Sequence, residues 1–317
     1  MQNLHIIMYH YIRDLTHSRY PNIKGLDVKL FRLQLEFIKE NFTVVTMQQV
    51  IAAYSGGSAL PGNAALLTFD DGYVDNYTYV LPILEEFGFQ GSFFIPGKLL
   101  DTHELLNVNK IHYILACASE EQLVLDLKQK MDWYRGDEFD YPENDTLWNE
   151  YAVDSRFDKK GTVFVKKMLQ TVLPEELQTK ISSELFKKYV DITEEQLFYE
   201  LYLTKDHIRT MQRHGMFIGI HGYDHYWLGN LKSDKMQQDI TKALSVMDEF
   251  IDKDSWVMNY PYGSYNKATI DFVKEKGAIL GLSTNVGKAI LNQNNRFILP
   301  RFDCNDFPPK SEGYRWV

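Results

Sequence analysis

The stretch LLTFDDGY, residues 66–73, ends an unbroken apolar run in two adjacent carboxylates, Asp70 and Asp71, with Gly72 directly behind them. A continuous run such as AALLTF (64–69) is the pattern of a parallel strand covered on both faces; a half-exposed strand would alternate. Unpaired charge does not continue into such a core, so the aspartates mark the strand's carboxyl end. The neighbouring sequence agrees. LHIIMY (4–9), FTVVT (42–46) and QGSFFIPG (90–97) read as strands. Between them DVKLFRLQLEFIKE (27–40) puts Phe31, Leu35 and Ile38 on one helical stripe behind Asp27 as cap, MQQVIAAY (47–54) is helical, and NYTYVLPILEEFG (76–88) is a helix stopped by Gly88. The β-α-β-α order implies a parallel sheet.

The alternation resumes after residue 200 with GMFIGI (215–220), a helix over 233–250 behind Ser233 as N-cap, SWVMNY (255–260), AILGLST (278–284) and RFILP (296–300). About seven or eight strands with helices between them fit a distorted (β/α) barrel better than an open sheet. Residues from about 101 to 200 carry helical periodicity and high charge with almost no strand signal, and 135–158 reads as an irregular acidic and aromatic connection. The expectation is one α/β catalytic domain over 1–317 with a large helical insertion. Trp133, Tyr134, Trp148 and Tyr151 in that insertion suit stacking on sugar rings, core packing or a dimer contact equally.

Composition excludes several classes. With 44% hydrophobic residues the chain is globular, and a net charge of −9 with scattered Lys and Arg excludes a phosphate-tracking surface, so no nucleic acid is expected as partner. Two cysteines, Cys117 and Cys304, cannot build a Cys-rich zinc site. No window reaches the roughly 18 apolar residues of a spanning helix. The N-terminal MQNLHIIMYHYIRD lacks a basic leader region and carries His5 and His10 within its short apolar run, so the expected location is cytoplasmic.

The chemistry lies in clusters at strand ends, where a parallel β/α fold collects its functional groups. HGYDH (221–225) follows GMFIGI at once and sets His221 and His225 four residues apart. Two imidazoles and one carboxylate make a three-donor site for a divalent metal with positions left open, and DDG supplies the carboxylate. Adjacent residues at a strand end point different ways, so one aspartate can bind the metal while the other faces substrate or water.

TFDDGY, HGYDH and YPYGSYN (260–266), in this order and each after an apolar strand, resemble the NodB-homology polysaccharide deacetylases, carbohydrate esterase family 4. The resemblance covers roughly 1–100 and 205–305 and implies a distorted barrel of about seven strands. It implies Asp70 as general base, Asp71, His221 and His225 as metal ligands, and the Tyr262 backbone N–H as oxyanion donor. Two departures stand out. Asn259 occupies the place where the family often has an Arg bracing the catalytic Asp, and Arg301 in LPRFD (299–303) is the expected substitute. No His follows His225 to serve as the late general acid, but MYHY (8–11) is similar to the permuted subgroup of poly-N-acetylglucosamine deacetylases, which implies His10 in that role. ELLNVNKIHYIL (104–115) is similar to deacetylase-like proteins of surface-polysaccharide (lipopolysaccharide or capsule) gene clusters.

The resemblance implies a hydrolase that removes an N-acyl group, acetyl first, from an amino sugar, with Zn²⁺ as the expected ion and Co²⁺, Ni²⁺ or Fe²⁺ also suited to the donors. A nucleotide- or lipid-linked sugar is the expected substrate, and self-association is left open. A formamido sugar, or a catalytically silent carbohydrate-binding homologue, are the alternatives that the departures keep in play.

Overall fold

The apolar runs pair edge to edge into one curled sheet. The structure is a computed structural model in which residues 3–136, 139–292 and 294–317 are described. The strands are β1 (Asn3–Tyr9), β2 (Thr43–Val44), β3 (Ala64–Phe69), β4 (Gly91–Ile95), β5 (Phe217–Ile220), β6 (Trp256–Asn259), β7 (Ala278–Leu282), β8 (Ala289–Ile290) and β9 (Phe302–Asp303). Their order is β8-β1-β3-β4-β5-β6-β7, with β9 on β1 and β2 on β3. Every pair is parallel except β8 with β1, giving a mixed half-barrel with seven strands along its main path.

The two-residue period of a strand decides what faces the inside of the curl. Leu4, Ile6, Ala64, Leu66, Phe94, Val257, Leu280, Leu282 and Leu299 share one buried cluster with Met47, Val50 and Tyr54 of the Met47–Tyr54 helix. The opposite face is buried as well: Tyr9 stacks on Phe69 at 5.1 Å, Phe69 on Phe93 at 4.7 Å, and Phe31 of the Val28–Asn41 helix meets Tyr9 edge-on at 5.2 Å. Both faces are covered, which is why these strands read as unbroken apolar runs. His10 continues the inward row of Leu4 and Ile6, Asp70 that of Ala64 and Leu66, and Asn259 that of Val257. Three functional candidates are thus aimed by parity alone.

The last segment of the chain also joins the two edges of the curl. Residues 296–299 run along β7, through Gly281 N–H to the Arg296 carbonyl (2.9 Å) and Leu299 N–H to the Gly281 carbonyl (2.8 Å). The chain then crosses to the far edge, where Phe302 pairs with Ile7 of β1. The expected RFILP strand is therefore a single bridge, Leu299 to Leu282, because Arg296 and Phe297 lie in a turn and the Ile298 N–H goes back to the Asn295 carbonyl at 2.9 Å. Gly281 permits the approach, since a Cβ there would lie 2.3 Å from the Phe297 carbonyl oxygen.

Other expectations need smaller corrections. FTVVT pairs only over Thr43–Val44, and Thr46 instead caps the next helix in a box with Gln49. The helix expected over 233–250 is Ser233–Val246 with Lys232, not Ser233, at its N-cap; Met247 and Phe250 beyond it stay buried. Residues 76–88 begin with a π-helical turn, Asn76–Val80, before the α-helix Leu81–Phe87, whose second residue is Pro82.

Asp239 of the Ser233–Val246 helix holds the loop after β5. It is buried, and its two carboxylate oxygens accept the backbone N–H groups of Tyr223 (2.9 Å) and Asp224 (3.0 Å). Burial pushes its carboxyl up to about 6, against the two hydrogen bonds.

The sheet belongs to a unit of Met1–Thr16, Gly25–His103 and Glu200–Val317; His17–Lys24 and Glu104–Tyr199 form a second unit. The second is built of helices, among them Asn107–Cys117, Glu120–Tyr134, Lys160–Lys167 and Glu175–Tyr189, around Leu123, Leu127, Phe164, Leu177, Ile181 and Leu185. The stretch read as an irregular connection contains the helix Asn144–Tyr151, and its Asp137 and Glu138 lie outside the described residues. Trp148 packs on Phe164 at 5.0 Å, whereas Trp133 is 78% exposed.

Gly281→Ala is expected to cost roughly 2–3 kcal/mol, because backbone rather than a mobile side chain must move to admit the methyl group; the shift of the urea midpoint at constant m measures it. Asp239 gives a pH signature of unusual sign. Its carboxyl is raised in the folded state, so the fold binds more protons than the unfolded chain between about pH 4 and 6, and stability falls as pH rises through that window. The charged form costs roughly 3 kcal/mol above it. Urea unfolding of the metal-free protein at stepped pH should show Asp239→Asn gaining on the wild type from pH 4 to 7; a constant difference would contradict the account.

Candidate active site

Asp70 stands at the carboxyl end of β3, almost wholly buried, with the fully buried Arg301 guanidinium clamped on it: Nη1 donates to Oδ1 at 2.9 Å and Nη2 to Oδ2 at 2.8 Å. Arg301 spends its other donors on the Thr68 hydroxyl (3.1 Å), the Asn259 side-chain carbonyl (2.9 Å) and the Ser283 backbone carbonyl (2.9 Å). Five N–H groups meet five acceptors, which is what makes a buried guanidinium tolerable. Burial alone would raise the Asp70 carboxyl, but the cation beside it outweighs burial and holds it below the ordinary carboxylate range. Asn259 stands at the expected position of an arginine and offers an acceptor to one that arrives from the bridging segment. His10 reaches the same carboxylate from the end of β1, with Nε2 3.8 Å from Asp70 Oδ2, and its side chain is 39% exposed.

Asp71 points elsewhere. Its Oδ2 accepts the Tyr73 hydroxyl at 2.7 Å, and its Oδ1 lies 3.3 Å from His221 Nε2 and 3.2 Å from His225 Nε2. All three residues are buried, and their ligand atoms lie within 4.8 Å of one another. The chemistry of this donor set fits a divalent cation. His221 Nδ1 donates to the Asn259 backbone carbonyl at 2.7 Å, which fixes the tautomer and leaves the Nε2 lone pair facing Asp71. Burial pushes the His225 imidazole below its ordinary value, which favours its neutral form. Asp71 Oδ1 is buried without a hydrogen-bond partner of good geometry among the described residues, although both imidazoles face it. Convergent lone pairs in a buried site call for a cation between them.

Backbone strain gathers at the same place. Asp71 (φ 73°), His225 (φ 55°) and Tyr262 (φ 57°) occupy the left-handed region that residues with a Cβ rarely adopt. Each is held. His225 ends a loop tied by Asp239 and by hydrogen bonds from Gly97 N–H to the Gly222 carbonyl and from Lys98 N–H to the Tyr223 carbonyl. Tyr262 is followed by Gly263 (φ 65°), where a Cβ would sit 2.2 Å from the Thr284 hydroxyl. The Tyr262 ring stacks on Trp227 at 4.4 Å and meets His225 edge-on at 4.6 Å, giving the Asp71–His221–His225 cluster an apolar wall.

The structure brings His10, Asp70, Asp71, His221, His225, Tyr262 and Arg301 together. Asp224, inside HGYDH, accepts from Lys98 Nζ at 3.0 Å through both of its oxygens. His207 and His214 have partners that the sequence did not name, since His207 Nδ1 accepts the Thr204 N–H and His214 pairs with Glu85. Tyr73, Trp227 and Asp239 were missed. Asp239 had left a sign, as a carboxylate beside Ile240 on the buried stripe of an amphipathic helix; Tyr73 and Trp227 look in sequence like ordinary core aromatics.

A model of the polysaccharide deacetylase family matches residues 57–129 and 139–280. The chain is 18% identical over 291 residues to YxkH of Bacillus subtilis (strain 168), covering 92% of this chain and 67% of that protein. It is 34% identical over 98 residues to the poly-beta-1,6-N-acetyl-D-glucosamine N-deacetylase of Escherichia coli (strain K12), covering 30% of this chain and only 14% of that enzyme. The Streptococcus pyogenes deacetylase PplD in complex with acetate superposes with a TM-score of 0.59 at 17% identity, over 99% of this chain and 96% of that one. IcaB from Ammonifex degensii gives 0.55 at 16%, over 95% and 91%. At these identities the superpositions establish the fold, a NodB-like half-barrel. The family model covers more than half of the residues, and the chain belongs to the polysaccharide deacetylase family.

Proposed function

We propose that this chain is a metal-dependent hydrolase that removes the N-acetyl group of an amino sugar. The observation that carries it is the adjacency at one barrel mouth of a buried Asp71–His221–His225 cluster and an Asp70 carboxylate that His10 also approaches. Asp71, His221 and His225 would hold a divalent ion, Zn²⁺ first and Co²⁺, Ni²⁺ or Fe²⁺ as substitutes. Such an ion supplies Lewis acidity toward a water molecule and the amide carbonyl.

The chain's own residues divide the proton work. Asp70, kept ionised by Arg301, accepts the proton of the attacking water, and the two-point clamp stops its carboxylate from rotating away. His10, part exposed at the mouth, delivers a proton to the departing nitrogen, which stays on the sugar outside the buried site. The backbone N–H of Tyr262, on its strained loop, is the donor for the oxyanion, and the Tyr262–Trp227 stack excludes water from the side that takes the acyl methyl group.

The named relative from E. coli acts on a β-1,6-linked N-acetylglucosamine polymer. That supports an N-acetylglucosamine-containing glycan as substrate here, and a nucleotide- or lipid-linked form of the same sugar is the other candidate we put to the test. No helix is long and apolar enough to cross a membrane among the described residues.

The test is chelator-sensitive release of acetate, or of formate, from N-acetyl and N-formyl amino sugars offered as oligomers, nucleotide sugars and lipid-linked sugars. Asp70→Asn should keep its metal and lose about 10²–10⁴-fold in kcat, whereas His221→Ala should lose metal and turnover together. Wild-type rates in Asp70→Asn, or no acyl release from any sugar by metal-loaded protein, would sink the proposal.

A further inference from the structure

Tyr73 is fully buried two residues beyond Asp71, and its hydroxyl donates to Asp71 Oδ2, the oxygen turned away from the imidazoles. The phenol cannot swing. Tyr11 stacks on it at 4.0 Å and 15°, and Tyr202 lies nearly parallel to it at 6.4 Å and 10°. The backbone is pinned as well: Tyr73 bridges Tyr202, Val74 N–H donates to the Leu201 carbonyl at 2.7 Å, and Leu203 N–H donates to the Gly72 carbonyl at 2.9 Å. Residues 200–203, on which the chain returns from the helical unit, are thus annealed to the loop that carries both aspartates.

A carboxylate can grip a cation through one oxygen or both, and the choice sets how many positions remain for water and substrate. An oxygen that accepts a short bond from a fixed phenol is turned away from the ion. Resting on the metal-site reading above, we infer that Tyr73 is a positioning residue that holds Asp71 to one-oxygen ligation and so keeps the cation's remaining positions open. Tyr11 ties this to the end of the neighbouring parallel strand β1, because it is the neighbour of His10: the Tyr11–Tyr73 stack sets the spacing between the loop bearing His10 and the loop bearing Asp71.

The test is Tyr73→Phe, which keeps the ring and its stacking and removes one oxygen. Zn²⁺ affinity, measured by competition with a chromophoric chelator, should fall about 10- to 100-fold. The visible bands of the Co²⁺-loaded variant should weaken and shift as Asp71 closes onto the ion with both oxygens. Wild-type affinity together with a wild-type Co²⁺ spectrum overturns the inference. Should the variant not fold, a metal-loaded crystal structure of the wild type decides: Asp71 bound through Oδ1 with Tyr73 still on Oδ2 supports it, and Oδ2 on the ion overturns it. A wild type that binds no divalent ion overturns this inference and the metal-site reading together, whereas a metal-binding wild type with an indistinguishable Tyr73→Phe variant overturns this one alone.

Discussion

The buried guanidinium of Arg301 is the constraint on which the candidate site depends. It collects acceptors from β3 (Thr68 and Asp70), from β6 (Asn259) and from the turn after β7 (Ser283), while its own backbone sits in the segment that bridges the two edges of the curl. A charged pair in a dry interior is poor evidence for stability, because desolvation of both ions offsets most of their attraction. Its effect is geometric. Asp70 cannot stay ionised inside the barrel until Arg301 arrives, and Arg301 arrives only when the last segment crosses from β7 to β1. Bridging the barrel and clamping Asp70 are therefore one event.

Around that pair the chain accepts strain where it helps. Asp71, His225 and Tyr262 carry positive φ angles, each costing on the order of 1 kcal/mol or more. Asn63, also at positive φ, is by contrast an asparagine beside a turn, where the conformation is cheap. The strained trio is over-determined by neighbours: a phenol on Asp71, a buried carboxylate under the loop of His225, and a glycine packed on Thr284 after Tyr262. Such positions turn the side chain out of the strand's two-residue alternation. That is how Asp70 and Asp71, adjacent in sequence, come to face a guanidinium and a pair of imidazoles respectively.

Much of this was legible in the sequence, for physical reasons that can be named. Strands buried on both faces leave unbroken apolar runs, so β3 and its neighbours were visible, and the first charges after them marked the functional end of the sheet. His221 and His225 were visible because ligand spacing is local. What was hidden depends on non-local pairing or on residues with two plausible uses. RFILP has the composition of a strand, but its first half is spent in a turn and only Leu299 pairs with β7, and nothing in five residues says so. Ser233 is a good capping residue that the helix does not use as its cap. Tyr73 and Trp227 are indistinguishable in sequence from core aromatics. Asp239 left a trace, a carboxylate on an apolar stripe, whose meaning required knowing that a loop's N–H groups lay above it.

The departure at residue 259 shows how a missing residue can be a relocation. A buried carboxylate has two oxygens, and the two-point clamp on Asp70 is already filled by one guanidinium. A second arginine at 259 would have to enter the same dry space with no second anion to neutralise it, and isolated buried charge is the costliest thing an interior can hold. A short amide instead supplies what the incoming arginine still lacks, one more acceptor for Nη2, and its backbone carbonyl sets the tautomer of His221. Asn259 thus serves both halves of the candidate site, the clamp on Asp70 through its side chain and His221 through its main chain.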